Sequence, residues 1–338
     1  MRYYDLTLSN PKTNAIVQRW TSHPNGVNQP PDPGAQNIEF DIMVSGLGQP
    51  NDPGGSVITI EGISIAQLYQ APQYIGLTFT LKAGMGKGLP LANPAQAGLI
   101  MTGTVFQSFG NWVEDEMTLD LVVYGGNQDY TLDTPGNFSF NLPAGTPIQQ
   151  GIAQVLNQTY PNAKQVIQIM PGIVFPNTEV GIYPTLRPFA GYILGLTQGY
   201  GGNTNYPGIS IALQGGQFFV FDGTQQSTTV PVAFTDLVGQ PTWIDVDTIQ
   251  ITTVMRGDVQ LSNTMALPKG LQNVPGLSTI TDQALPAQSK YQSTFQGPFS
   301  VQQIRHVGNF RSNSGLEWVS VFNCPALQNN LTAATAMK

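Results

Sequence analysis

Two histidines, His23 and His306, and one cysteine, Cys324, are the residues of this 338-residue chain best suited to nucleophilic or acid–base chemistry. A Ser-His-Asp or Cys-His device needs a histidine beside a nucleophile, together with an orienting acid and oxyanion donors. His23 falls in a Pro-rich loop, and His306 lies where a strand approaches a turn, so both read as structural. Cys324 ends an apolar strand pattern and reads as a small buried hydrophobe; alone, it forms no disulfide within the chain. No CxxC or HExxH spacing supports zinc. Glu114, Asp115 and Glu116 are the one dense acidic cluster, but carboxylates that cleave a sugar bond approach it from separate elements. Three neighbours read instead as a solvated hairpin tip, or a rim that repels or steers. Asp129–Asp133 lacks the spacing and glycine of a calcium loop. Gly84-Met85-Gly86-Lys87-Gly88 lacks the Gly-Lys-Ser/Thr ending of a phosphate cradle and opens no helix. No catalytic residue, cofactor or metal site is expected.

Arginines remain. Arg256, Arg305 and Arg311 stand out in a chain with 13 Lys and Arg, and the last two lie close in sequence to Phe310 and Trp318. Arginines and aromatics concentrate at subunit contacts, so these five are candidate interface anchors. A plain charge on a hairpin rim is the competing reading.

Composition narrows the function classes. Asp, Glu, Lys and Arg make up 10% of the chain, against roughly 25% in an ordinary domain, and amides, hydroxyls and glycine replace them. Hydrophobic content of 41% still supplies cores. Such a surface suits a protein packed against neighbours, although extracellular β-proteins share it. A net charge of −7 argues against gripping nucleic acid through its phosphates. The opening MRYYDLTLSN reads as a first strand rather than a signal peptide, and no run approaches the ~18 apolar residues of a membrane span. Assembly in the cytosol is expected.

The elements that must position these residues are mostly strands. Tyr3–Leu8 alternates apolar and polar, and Ile16–Trp20 suits a partner across Asn10-Pro11-Lys12. Ile38–Val44, Ser56–Glu61 and Leu77–Lys82 are strand-like, and Ile65–Tyr69 suits a short helix or turn. Two pairs of runs resemble each other: Gly103–Phe109 with Met117–Tyr124, and Phe299–Val307 with Leu316–Phe322. Thr146 as N-cap, Pro147 at the first position and the face Ile148, Ile152, Val155, Leu156 predict a helix ended by Pro161. Val166–Met170, a hairpin of Ile209–Leu213 with Phe218–Phe221, and Ile249–Met255 complete the strands; Ile193–Leu196 suits a short helix. Residues 267–290 form a long Pro- and Gln-rich loop, expected to move or wrap a partner. The fold class is mainly β with a few helices.

The segments MRYYDLTLSNPKT, PLANPAQAG, PTWIDVDTIQITTVMRGDV and FQGPFSVQQIRHVGNFRSNSGLEWVSVF resemble those of baseplate hub proteins of tailed bacteriophages. The resemblance implies two tube-protein-like β-sandwich or barrel domains, at 1–125 and 208–326, with a small helix-containing α/β subdomain at 126–207 and a polar tail at 327–338. It implies a homotrimer forming a pseudo-sixfold ring between a hexameric tail tube above and a trimeric spike below. Other baseplate proteins would contact it, a tape-measure protein would sit in its lumen, and DNA would pass without specific binding. The expected place is the virion tail, assembled in the host cytoplasm. Another tail component, such as a distal tail or tube terminator ring, is the alternative. A carbohydrate-binding β-protein using Trp20, Trp112, Trp243 or Trp318 is a third.

Overall fold

A computed structural model describes residues 1–48, 54–88, 93–126, 136–203, 206–245, 247–268 and 298–327, with the backbone of 279–280. The expected loop over 267–290, the Asp129–Asp133 segment and the polar tail lie almost wholly outside the described residues.

The N-terminal third is a run of antiparallel strands. Strand β1 (Arg2–Ser9) buries Tyr4, Leu6 and Leu8 on one face, and β2 (Ile16–Thr21) returns beside it. The Asn10 side chain accepts hydrogen bonds from the amides of Lys12 and Thr13 and fixes that turn. Then come β3 (Asn37–Val44), β4 (Ser56–Glu61), helix α1 (Ile65–Gln70), β5 (Thr78–Met85) and the hairpin β6 (Gly98–Val113) with β7 (Glu116–Gly125). A capping box between Ser64 and Gln67 starts α1.

The middle holds β8 (Phe138–Leu142), α2 (Ile148–Thr159), β9 (Lys164–Gln168), β10 (Glu179–Tyr183) and α3 (Leu186–Thr197). The hairpin β11 (Ser210–Gln214) and β12 (Gln217–Phe221) follows, then β13 (Thr229–Pro231), β14 (Thr242–Trp243), β15 (Thr248–Val254) and β16 (Thr264–Ala266). The last strands are β17 (Thr279–Ile280), β18 (Phe299–Ser300), β19 (Gln303–Asn309) and β20 (Trp318–Pro325). The fold is mainly β, and no helix among the described residues is long and apolar enough to cross a membrane.

Twelve strands form one sheet in the order β17-β14-β15-β20-β19-β3-β4-β7-β6-β5-β1-β2. Strand β3 pairs antiparallel with β19 from Val44 opposite Ile304 to Glu39 opposite Asn309. The two ends of the chain therefore share one sheet, and one core: Tyr4, Leu6, Ile38 and Phe79 belong to the same buried cluster as Ile249, Ile304 and Phe322. A second core lies under α2 and α3, with Phe138, Phe140, Ile152, Phe189 and Ile193. Strand β12 is the wall between them. Its alternate side chains Phe218 and Val220 enter the second core, while Phe219 and Phe221 enter the main one.

Several local expectations shift. Helix α2 begins at Ile148 with extended Pro147 as its cap, and Thr146 makes no capping bond. The Ile148 amide instead donates to the Ile173 carbonyl, so a neighbouring segment replaces the Thr hydroxyl. Helix α3 spans three turns rather than Ile193–Leu196 alone. The run Phe299–Val307 is broken: β18 joins β13 and β16, and the chain crosses at Val301 to enter the main sheet as β19. Strand β6 continues through Gly110-Asn111 to a two-residue turn at Glu114-Asp115, whereas β19 and β20 are joined by a longer turn. Gly110-Asn111 and Gly308-Asn309 both lie inside strands, and close packing explains the glycines. A Cβ on Gly110 would meet the Leu68 carbonyl at 2.8 Å, and one on Gly308 would enter the Phe40 ring.

Candidate functional site

The five candidate anchors separate into three places. Phe310, Arg311 and Trp318 meet where the β19–β20 turn lies on the N-terminal strands. Phe310 stands edge-on to Tyr4 at 4.9 Å and to Trp318 at 6.1 Å between ring centres. The Trp318 indole donates to the Gly84 carbonyl at 2.9 Å and is 3% exposed. The Arg311 amide donates to the Asn37 side chain, and its guanidinium to the carbonyls of Pro33 and Ala35.

Arg2 completes this seam. Its guanidinium donates to the carbonyls of Asn309 at 2.6 Å, Phe310 at 3.2 Å and Ser314 at 2.6 Å, and also to that of Ser312. It lies 5.8 Å from the Trp318 ring. One cation thus satisfies carbonyls that a turn without regular pairing leaves open. Sequence reasoning passed over Arg2, although the scarcity of cations that singled out the other arginines applied to it equally.

Arg256 forms a second seam. It donates twice to Asp258, both at 2.7 Å, and reaches Asp236 at 3.4 Å. Asp236 also accepts from Gln96 at 3.0 Å, while the Gly257 amide donates to the Gln96 carbonyl. With 2% of its side chain exposed, Arg256 has no surface to offer another subunit. Trp318 is in the same position. Both hold the chain to itself: Trp318 bonds Gly84, 234 residues away, and Arg256 bonds Asp236 and Asp258 of its own chain. Arg305 makes a two-point pair with Asp41 across β19 and β3, and is about half exposed. Such a pair adds roughly 0.2–1 kcal/mol and leaves the arginine accessible.

The histidines sit beside serines. The His306 Nδ1 lies 2.8 Å from the Ser320 Oγ, and that of His23 lies 2.9 Å from the Ser22 Oγ. Both pairs are buried, and Ser320 also bonds the Arg256 backbone through its hydroxyl. Burial pushes His306 down to about 4 and keeps it neutral. Burial, and then the N-terminal ammonium, lower His23. The Cys324 thiol is pushed up by burial and lies 3.8 Å from the Met265 sulfur. A nucleophile buried in this way reaches no substrate. Among the described residues, no group of three His, Cys, Asp or Glu is placed to hold a metal. Of the tryptophans, Trp20, Trp243 and Trp318 are buried and Trp112 is exposed.

Among the described residues, the main sheet ends in two unlike strands, β2 and β17. Ile16 and Val17 of β2 are exposed.

No family model and no curated protein matches the chain. It is similar to a tail protein from Neisseria meningitidis MC58, at 9% identity over 99% of each chain, with a TM-score of 0.44. It is also similar to the 43 kDa tail protein of prophage MuSo2 from Shewanella oneidensis, at 9% identity over 100% of this chain and 98% of that one, with a TM-score of 0.47. The c3393 protein of E. coli, a component of the type VI secretion system with structural similarity to T4 bacteriophage tail proteins gp27 and gp5, aligns at 8% identity over 88% of this chain and 75% of that one, with a TM-score of 0.46. The structural neighbours are thus phage tail proteins and a secretion-system component similar to them.

Proposed function

We propose that this protein is a structural component of a phage tail, a baseplate hub that forms a homotrimeric ring. The observation that carries this reading is the main sheet, built from the first and last thirds of the chain and, among the described residues, finishing in unlike strands, β2 and β17. An open strand edge exposes unpaired backbone groups and invites pairing. Two unlike edges favour a head-to-tail contact, which closes into a ring if the rotation allows it.

Each chain carries two long hairpins, β6–β7 and β19–β20, in that sheet. Three copies present six, matching a hexameric tail tube on one face and a trimeric spike on the other. In this proposal 1–125 and 208–326 supply the tube-like regions, and 126–207 flanks them. Arg305, paired with Asp41 on the sheet surface, and Arg311 in the β19–β20 turn are the exposed anchors. A net charge of −7 suits a lumen through which DNA and a tape-measure protein pass without sticking. The protein acts in the virion after assembly in the host cytoplasm, among other baseplate proteins.

Copy number per virion tests the assignment. Quantitative mass spectrometry of purified particles should find about three copies for each six of the tube protein's ring. Equal numbers would point instead to a distal tail or tube terminator ring.

A further inference from the structure

The β6–β7 hairpin ends in an apolar face that the described residues leave open. Helix α1 lies over β6 at Gly110, where only a glycine lets the Leu68 backbone approach. Strand alternation places Trp112 on the same face as Gly110, and Met117 stands opposite Trp112 in the pairing. Helix α1 buries none of its residues: Tyr69 is 73% exposed and Ile65 is also open. Trp112 is 60% exposed, and its ring is held by an indole hydrogen bond to the Glu114 carbonyl at 2.8 Å. Aromatic rings fixed in this way lose little freedom on binding, which suits them to anchor a contact.

Beside this face runs an open cleft of about 420 Å³ whose walls include Glu61, Asp115, Glu116 and Met117. Arg311 also enters the wall, its guanidinium held by the carbonyls of Pro33 and Ala35; three carboxylates against this one cation leave the cleft net negative. The cleft therefore offers carboxylates next to an apolar platform.

We propose that this face docks a segment of another protein in which apolar side chains alternate with Lys or Arg. The apolar side chains cover Tyr69 and Trp112, and the cations enter the cleft toward Glu61, Asp115 and Glu116. A net charge of −7 disfavours a second copy as the occupant and favours a cationic partner segment. The hairpin tip lies apart from β2 and β17, the strands assigned above to the proposed ring.

The experiment uses the full chain and a short synthetic peptide of alternating Leu and Lys, followed by tryptophan fluorescence and calorimetry. Because the other three tryptophans are buried, a blue shift reports on Trp112. We expect binding that weakens with salt, and no binding of the matching Leu–Glu peptide. Tyr69→Ser, and separately the triple change Glu61→Gln, Asp115→Asn, Glu116→Gln, should each weaken binding by about tenfold or more, the equivalent of ~1.4 kcal/mol. Asp247→Asn on the far surface should leave it unchanged, and Trp112→Phe should remove the spectral response without abolishing the heat. Circular dichroism checks that each variant is folded. Peptide binding insensitive to Tyr69→Ser and the charge changes would overturn the proposal. So would dissociation of an oligomer of this chain by Tyr69→Ser, which would assign the face to a second copy.

Discussion

Arg2 does more for the closing turn than any residue inside it. Its guanidinium reaches carbonyls of Asn309, Phe310, Ser312 and Ser314, and a planar fork suits such divergent acceptors better than a point charge. Replacing it with Ala should cost about 2–3 kcal/mol, the scale of a charged hydrogen bond, and Lys should rescue little of it; urea midpoints check both. Arg256→Ala should cost more, about 3–5 kcal/mol, because it strands a buried Asp236. The second handle is pH. Burial lowers His306 from 6.5 to about 4, so the folded state holds it neutral and the unfolded state protonates first. Its contribution is intact above pH 6.5, falls as pH drops below that value and levels off below about 4. His306→Asn should flatten the urea midpoint across that window; an unchanged slope would remove His306 as its source. Scarce arginines and nearby aromatics marked Phe310, Arg311 and Trp318 as interfacial, and they do meet at a seam. The sequence did not tell that the seam is internal, since spacing carries no information on which distant segment faces them.

At the scale of elements, periodicity read well where one face alone was buried. The buried face of α2, Ile148, Ile152, Val155 and Leu156, followed from its helical spacing. Helix α3 was legible only in part, at Ile193–Leu196; Pro188 falls in its first turn, where the missing amide costs no bond. The break between β18 and β19 was hidden, since Val301 continues the apolar–polar alternation of Phe299 and Ser300 and only its backbone partners turn it aside. Close backbone approaches were hidden as well. Gly257 lies against Gly98, and a Cβ there would come 2.5 Å from the Gly98 carbonyl carbon. Gly257→Ala should therefore destabilise by about 1–3 kcal/mol, read from thermal or urea unfolding. A neutral result would mean that the two segments separate freely. Gly110→Ala should lift α1 from β6, detectable as altered acrylamide quenching of Trp112 with little change in the core.

At the scale of the molecule, one sheet unites the first and last thirds of the chain, with a second core attached through β12. Low charge and abundant amides pointed to a surface made for neighbours, and the mainly β class followed from alternation. The pairing of β3 with β19 was not readable, because each strand alone is satisfied by any partner of the right pattern. We propose that this sheet closes head to tail into a ring of three. Light scattering of the purified protein across a range of concentrations should then find a particle of three times the 36.4 kDa chain mass. A particle that stays at the mass of one chain at every concentration would contradict it.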